Sequence, residues 1–133
     1  GGQRQRVAFA SIISMETEML IIDEPTSQLD PEGTEDVFEI IKTLKESNRT
    51  LILVEHKIDM VAEYCDEVIV MNEGSIVFSG PSHTVLSDPA IMECGATMSQ
   101  VAIFGHEMAK AGKPLERIPI TLAEAVSLVK ARR

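Results

Sequence analysis

The 133-residue sequence has no uninterrupted apolar run near the roughly 18 to 20 residues that span a bilayer, which excludes a membrane-spanning helix. It has two cysteines, Cys65 and Cys94, too few for a disulfide framework. No apolar signal-peptide core follows Gly1-Gly2-Gln3-Arg4, so a reduced, cytoplasmic setting is expected. Basic residues are scarce: 12 against 21 acidic ones leave a net charge of −9, which argues against a general binder of nucleic-acid backbones. The deficit is uneven, −12 over residues 1–100 and +3 over 101–133, and marks a separate C-terminal element. What is present is ordinary for one globular unit, with 44% hydrophobic residues.

The apolar residues Val7, Ala8, Ile12 and Met15 fall near helical spacing and predict a helix over 5–15. Met19 to Ile22 is an all-apolar run stopped by Asp23-Glu24-Pro25, which reads as a central parallel strand buried on both faces. Pro31 suits the first turn of a second helix, with Val37, Ile40, Ile41 and Leu44 on its buried face and Asn48-Arg49 closing it. Thr50 to Val54 repeats the design, an apolar run before the polar pair Glu55-His56, and Ile58, Val61, Ala62 and Cys65 mark a short helix behind it. This alternation is that of an α/β fold with a parallel sheet. Strands over 67–71 and 75–78 joined at Asn72-Glu73-Gly74 predict a hairpin. Residues 82–94 predict a short helix broken at Asp88-Pro89, and 99–111 and 121–131 two more, separated by Gly112-Lys113-Pro114 and the extended Ile118-Pro119-Ile120.

Open α/β sheets hold ligands at the C-terminal ends of their strands, and both of the first two strands end there in polar side chains. The pair Asp23-Glu24 suits metal-assisted phosphoryl transfer, one carboxylate on Mg²⁺ and the next orienting a water. Standing alone, such a pair is more often two solvated acids. His83 and His106 have no acidic or cysteine partner at metal-ligand spacing, so packed or solvated roles suit them, and core filling suits Cys65, Cys94 and the scattered methionines.

Asp23 to Pro31 (Asp-Glu-Pro-Thr-Ser-Gln-Leu-Asp-Pro), preceded by Gly1-Gly2-Gln3-Arg4-Gln5-Arg6 and followed by a strand ending in His56, resembles the ATPase subunit of ABC transporters. The resemblance implies that Asp23-Glu24 ends the Walker B strand, with Asp23 on Mg²⁺ and Glu24 as catalytic base. It matches Ser27 to Asp30 to the D-loop, His56 to the switch histidine that contacts the γ-phosphate of ATP, and Gly1, Gly2 and Gln3 to the end of the signature motif. A Gly-Gly helix start bares backbone N–H groups to an anion, here the γ-phosphate held by a partner subunit. Arg4 and Arg6 suit phosphate attraction and surface ion pairing equally.

The phosphate-binding string Gly-x4-Gly-Lys-Ser/Thr does not occur, nor do the Leu-Ser half of the signature, the glutamine loop or an adenine-stacking aromatic. The chain is therefore expected to be the C-terminal portion of a longer protein and, by itself, inactive. Gly80 to Pro89, Met98 to Ala102, Gly112 to Leu115 and Ile118 to Val126 look like the tail of energy-coupling factor transporter ATPases, which serve uptake of vitamins or of metal ions such as cobalt and nickel. Ser11 and Thr17 depart from the family, where arginine and proline are frequent.

The expectation is thus a P-loop NTPase-like α/β fold, C-terminal half only, with a β-hairpin and a C-terminal helical extension. Residues 1–80 belong to the ATPase domain and 81–133 to the extension. The implied partners are a second ATPase subunit or domain, a transmembrane coupling component and a substrate-binding membrane component, with no nucleic acid, at the cytoplasmic face of the membrane. The alternatives are a non-catalytic assembly module acting through the 99–131 helices and an ABC ATPase of another importer class. An ABC ATPase of DNA repair or translation lacks support, since no long coiled-coil heptads or basic arms occur.

Overall fold

The computed structural model describes residues 7, 11, 14, 17–27, 29–47 and 49–132. Of the helix expected over 5–15, positions 7, 11 and 14 are described and are helical. The chain divides into two compact units, residues 1–56 and 57–133. This grouping is one of contacts, whereas the boundary expected after residue 80 marks where likeness to an ATPase domain ends.

The first unit is a strand, helix, strand crossover. Strand β1 (Met19–Asp23) pairs in parallel with β2 (Thr50–Val54), Met19 opposite Thr50 and Asp23 opposite Val54. Helix α1 (Pro31–Glu46) connects them and packs against β2. Its start combines three local signals. Pro31 occupies the first turn, where its missing N–H costs nothing. Asp30 accepts the N–H of Gly33 at 2.8 Å, and Glu32 complements the positive end of the helix. At the other end Lys45 lies in the last turn. The buried stripe is Thr34, Val37, Phe38, Ile41 and Leu44. Phe38, fully buried, replaces the half-buried Ile40 that the periodicity selected.

The expected burial of β1 on both faces is corrected by the structure. Leu20 and Ile22 are buried, but Met19 and Ile21 are 55% and 69% exposed, as are Ile52 and Val54 of β2 at 44% and 50%. A strand is dry on both faces only where each face has a covering layer, and the described residues supply one layer, on the side of Leu20 and Ile22.

In the second unit, α2 (Ile58–Tyr64) leads into β3 (Glu67–Asn72), which pairs antiparallel with β4 (Ser75–Pro81). Glu73 and Gly74 both have positive φ, 48° and 77°, the backbone of a two-residue type I′ hairpin turn. A bulge beside Val70 and Met71 shifts the register. Among the described residues each unit holds one two-stranded sheet, β1 with β2 in the first and β3 with β4 in the second.

Helix α3 (Ser82–Leu86) and a 3₁₀ turn (Pro89–Cys94) replace the single broken helix expected there. They are followed by α4 (Gln100–Lys110) and α5 (Leu122–Ala131). The core joins Val61, Ala62 and Val68 to Val85, Leu86, Ile91, Met98, Ala102 and Ile120, with Cys65 packed at its edge. The segment before α5 lies so close to α4 that a Cβ on Gly105 would meet Pro119 Cδ at 2.6 Å. Both late helices are capped: Ser99 accepts the N–H of Ala102 at 3.1 Å and Thr121 that of Glu124 at 3.3 Å. Glu124 in return accepts the N–H of Ile120 at 2.9 Å and pairs with Arg117 at 2.6 Å. His106 sits against the carbonyl of Ser87 at 3.0 Å, the packed one of the two roles, packed or solvated, expected of it.

Candidate active site at the ends of two parallel strands

All described site residues lie in the first unit, where β1 and β2 end side by side. Strand alternation decides which way each one faces. Asp23 continues the exposed set of Met19 and Ile21, so its carboxylate is presented to solvent at the strand end. On β2 the less exposed positions are Leu51 and Leu53, and the same parity carries Glu55 inward and His56 outward. The side chain of Glu55 is fully buried, whereas that of His56 is 66% exposed.

Glu24 breaks the parity rule. Its N–H still donates to the carbonyl of Val54 at 2.9 Å, one step beyond the ladder, but its φ is 42°. That left-handed backbone is costly for a residue with a Cβ, about 1–3 kcal/mol, and recurs where a site needs it. It swings the chain out of the strand so that the Glu24 side chain is 54% exposed instead of following Leu20 and Ile22 inward. Pro25 then pre-sets the turn, which the N–H of Ser27 closes on the carbonyl of Glu24 at 3.2 Å. A second turn follows, Leu29 N–H to Thr26 carbonyl at 3.3 Å, and delivers the chain to Asp30.

The structure brings Glu24 and His56 together. The Nδ1 of His56 is 3.9 Å from Oε1 of Glu24 and 3.6 Å from Oε2 of Glu55. The exposed imidazole and the exposed Glu24 carboxylate thus lie beside each other at the C-terminal edge of the sheet. Asp23 is the neighbouring carboxylate. Ser27 is exposed with its backbone committed to the turn, and Asp30 is occupied as the N-cap of α1, an arrangement that Gly33 permits, since its Cβ position lies 2.9 Å from Asp30 Oδ1. Gly1, Gly2 and Gln3 lie outside the described residues.

Two residues here escaped the sequence reading. Glu55 was no more than half of a polar pair, and Thr26 a letter inside a motif. Glu55 Oε1 accepts the hydroxyl of Thr26, itself 1% exposed, and Glu55 Oε2 accepts the backbone N–H of His56 at 2.8 Å. Period-2 counting from Leu51 and Leu53 is the signal that would have turned Glu55 inward; the partner, 29 residues away, left none.

Among the described residues no three His, Cys, Asp or Glu side chains gather into a metal cage. The chemistry of Asp23 fits Mg²⁺, which usually keeps several waters and takes one or two carboxylates plus substrate phosphates, since its carboxylate is exposed at the strand end.

The chain is 37% identical over 131 residues to the energy-coupling factor transporter ATP-binding protein EcfA2 of Streptococcus pyogenes serotype M28 (strain MGAS6180), and equally to that of serotype M5 (strain Manfredo). The match takes in 98% of this chain and 47% of each relative, so the chain spans about half the length of the curated relatives it matches. Among solved structures, cbiO1 from Clostridium perfringens, part of the ABC transporter complex cbiONQ, is 36% identical with a TM-score of 0.59, over 81% of this chain and 43% of that one. An ATP-binding cassette of an ABC transporter in its ADP conformation is 31% identical with a TM-score of 0.62, over 71% and 39%. No protein-family model matches. With 37% identity along almost its whole length to such relatives, an α/β fold with a parallel strand pair and a hairpin, and TM-scores of 0.59 and 0.62 to two cassettes, this chain belongs to the family of ABC-transporter ATP-binding proteins, of which it spans part.

Proposed function

We propose that the sequence is part of the ATP-hydrolysing subunit of an energy-coupling factor type ABC importer, powering uptake of a vitamin or a transition-metal ion. The observation that carries this reading is the convergence of Glu24 and His56, 3.9 Å apart, at the ends of adjacent parallel strands. A carboxylate there can take a proton from a water, and an imidazole beside it can donate a hydrogen bond to a phosphate oxygen. Glu24 is the base, His56 holds the γ-phosphate end of ATP, and Asp23 is the carboxylate for Mg²⁺. Bound Mg²⁺ supplies charge neutralisation on the phosphates.

Residues 1–80 form the ATPase part and 81–133 the C-terminal extension. Gly1, Gly2 and Gln3 serve the nucleotide of a second ATPase subunit or domain, and Ser27 and Asp30 belong to the loop between the two nucleotides. The remaining partners are a transmembrane coupling component and a substrate-binding membrane component, and the protein works peripherally at the cytoplasmic face. Without the Walker A string, the 133 residues alone do not turn over ATP. The test is Mg-ATP hydrolysis by a full-length protein carrying this sequence, before and after Glu24→Gln: turnover that collapses supports the reading, and unchanged turnover overturns it.

A second reading, association through the late helices without catalysis, draws on the exposed Phe104 of α4 and Leu122 and Val126 of α5, at 42%, 70% and 44%. A full-length protein that shows no Mg-ATP turnover and that charge substitutions at these three positions dissociate would favour it.

A further inference from the structure

Beyond Asp23 and Val54 the backbone ladder ends, because Glu24 at φ 42° turns the first chain away, while the second continues to His56. Among the described residues the last backbone tie of the ladder is Glu24 N–H to Val54 carbonyl at 2.9 Å. Past it, the two reacting groups sit on diverging chains, and their spacing depends on side chains. The carboxylate of Glu55 fills that place. It is fully buried and uses both oxygens, Oε1 toward the Thr26 hydroxyl on the departing chain and Oε2 toward the His56 N–H on its own. Thr26 is equally buried and sits within the double turn that starts at Glu24. Burying a carboxylate is costly unless it is hydrogen-bonded, so an ionic group here is a poor choice for packing alone. As an acceptor with two oxygens in fixed relation, it is a good choice for holding two chains at one distance.

We propose that Glu55 is a positioning residue, whose buried carboxylate clamps the turn carrying Glu24, through Thr26, to the strand end carrying His56. The inference rests on the ATPase reading for its kinetic consequence and on geometry alone for the clamp. Glu55 and Thr26 touch no substrate. They act by keeping the base and the imidazole in one arrangement, and small misplacements of such groups cost large factors in rate.

Two measurements test it. In a full-length protein carrying this sequence, Glu55→Gln and Thr26→Val, both close in shape to the native residue, are expected to lower kcat about tenfold or more with KM for Mg-ATP within about twofold. The double variant should be no worse than the poorer single, and Thr26→Ser, which keeps the hydroxyl, should recover most of kcat. Independent losses that multiply, or a change confined to KM, would overturn the proposal. Amide hydrogen exchange in the same proteins without nucleotide reads the clamp directly. Thr26→Val should speed exchange of the His56 N–H about tenfold although it leaves that donor and its acceptor in place, and Thr26→Ser should not. Unchanged His56 exchange in Thr26→Val would refute the clamp even if the protein hydrolyses ATP. Altered exchange in a protein that lacks turnover would uphold the clamp and sink the ATPase reading instead.

Discussion

Oε1 of Glu24 and Nδ1 of His56 are 3.9 Å apart, although each is the first residue to leave its strand with an exposed side chain. The parallel register sets this pairing. With Asp23 opposite Val54, the chain exits lie side by side at the edge where α/β sheets take ligands.

Glu24→Gln keeps the shape and loses the base. Nucleotide binding by the full-length protein is expected to persist while turnover falls by about a hundredfold or more. Asp23→Asn should instead weaken binding of Mg-ATP relative to ATP without the metal. Titration of each variant with nucleotide, with and without Mg²⁺, separates the two roles.

Glu24 also stores backbone strain, which Gly would release. Glu24→Gly is expected to be about 1 kcal/mol more stable than Glu24→Ala, since both lose the carboxylate and only glycine accepts a φ of 42° freely. Urea unfolding midpoints decide this, and Glu24→Ala matching Glu24→Gly would show that the strain is absent.

His56→Ala removes an imidazole that is 66% exposed, so the fold should lose no more than about 0.5 kcal/mol. Turnover of the full-length protein should drop severely. Normal turnover with a large fall in Tm would make the histidine a structural residue.

Gly105→Ala drives a methyl group into Pro119 Cδ, 2.6 Å from the Cβ position, within a contact between α4 and a buried proline. A loss of about 1–3 kcal/mol is expected. The site residues lie in the other unit, so the cost should appear in thermal unfolding and not in the nucleotide affinity of the full-length protein.

The 133-residue chain alone is expected to bind Mg-ATP no tighter than millimolar, because most phosphate contacts of P-loop enzymes come from a loop that this sequence does not contain. Calorimetric titration yielding micromolar affinity would contradict this.

The strand at 19–23, the helix begun by Asp30 and Pro31, the hairpin at Glu73-Gly74 and the place of Asp23, Glu24 and His56 at the ends of two strands were all legible in the sequence, because each is written in local terms: an apolar run, a cap, a turn that needs positive φ, a motif of fixed spacing. Phe38 was missed for Ile40 because both fit a helical period and only the surface met by α1 chooses between them. Burial of β1 on both faces was a false inference from hydrophobicity, since an apolar residue is buried only where something covers it, and nothing described covers Met19 and Ile21. The tertiary structure alone decided that Thr26 meets Glu55. A hydrogen bond between distant positions leaves no periodic mark in either segment; it exists because a parallel crossover returns β2 beside β1 in one register and a left-handed residue then turns the first chain over the end of the second.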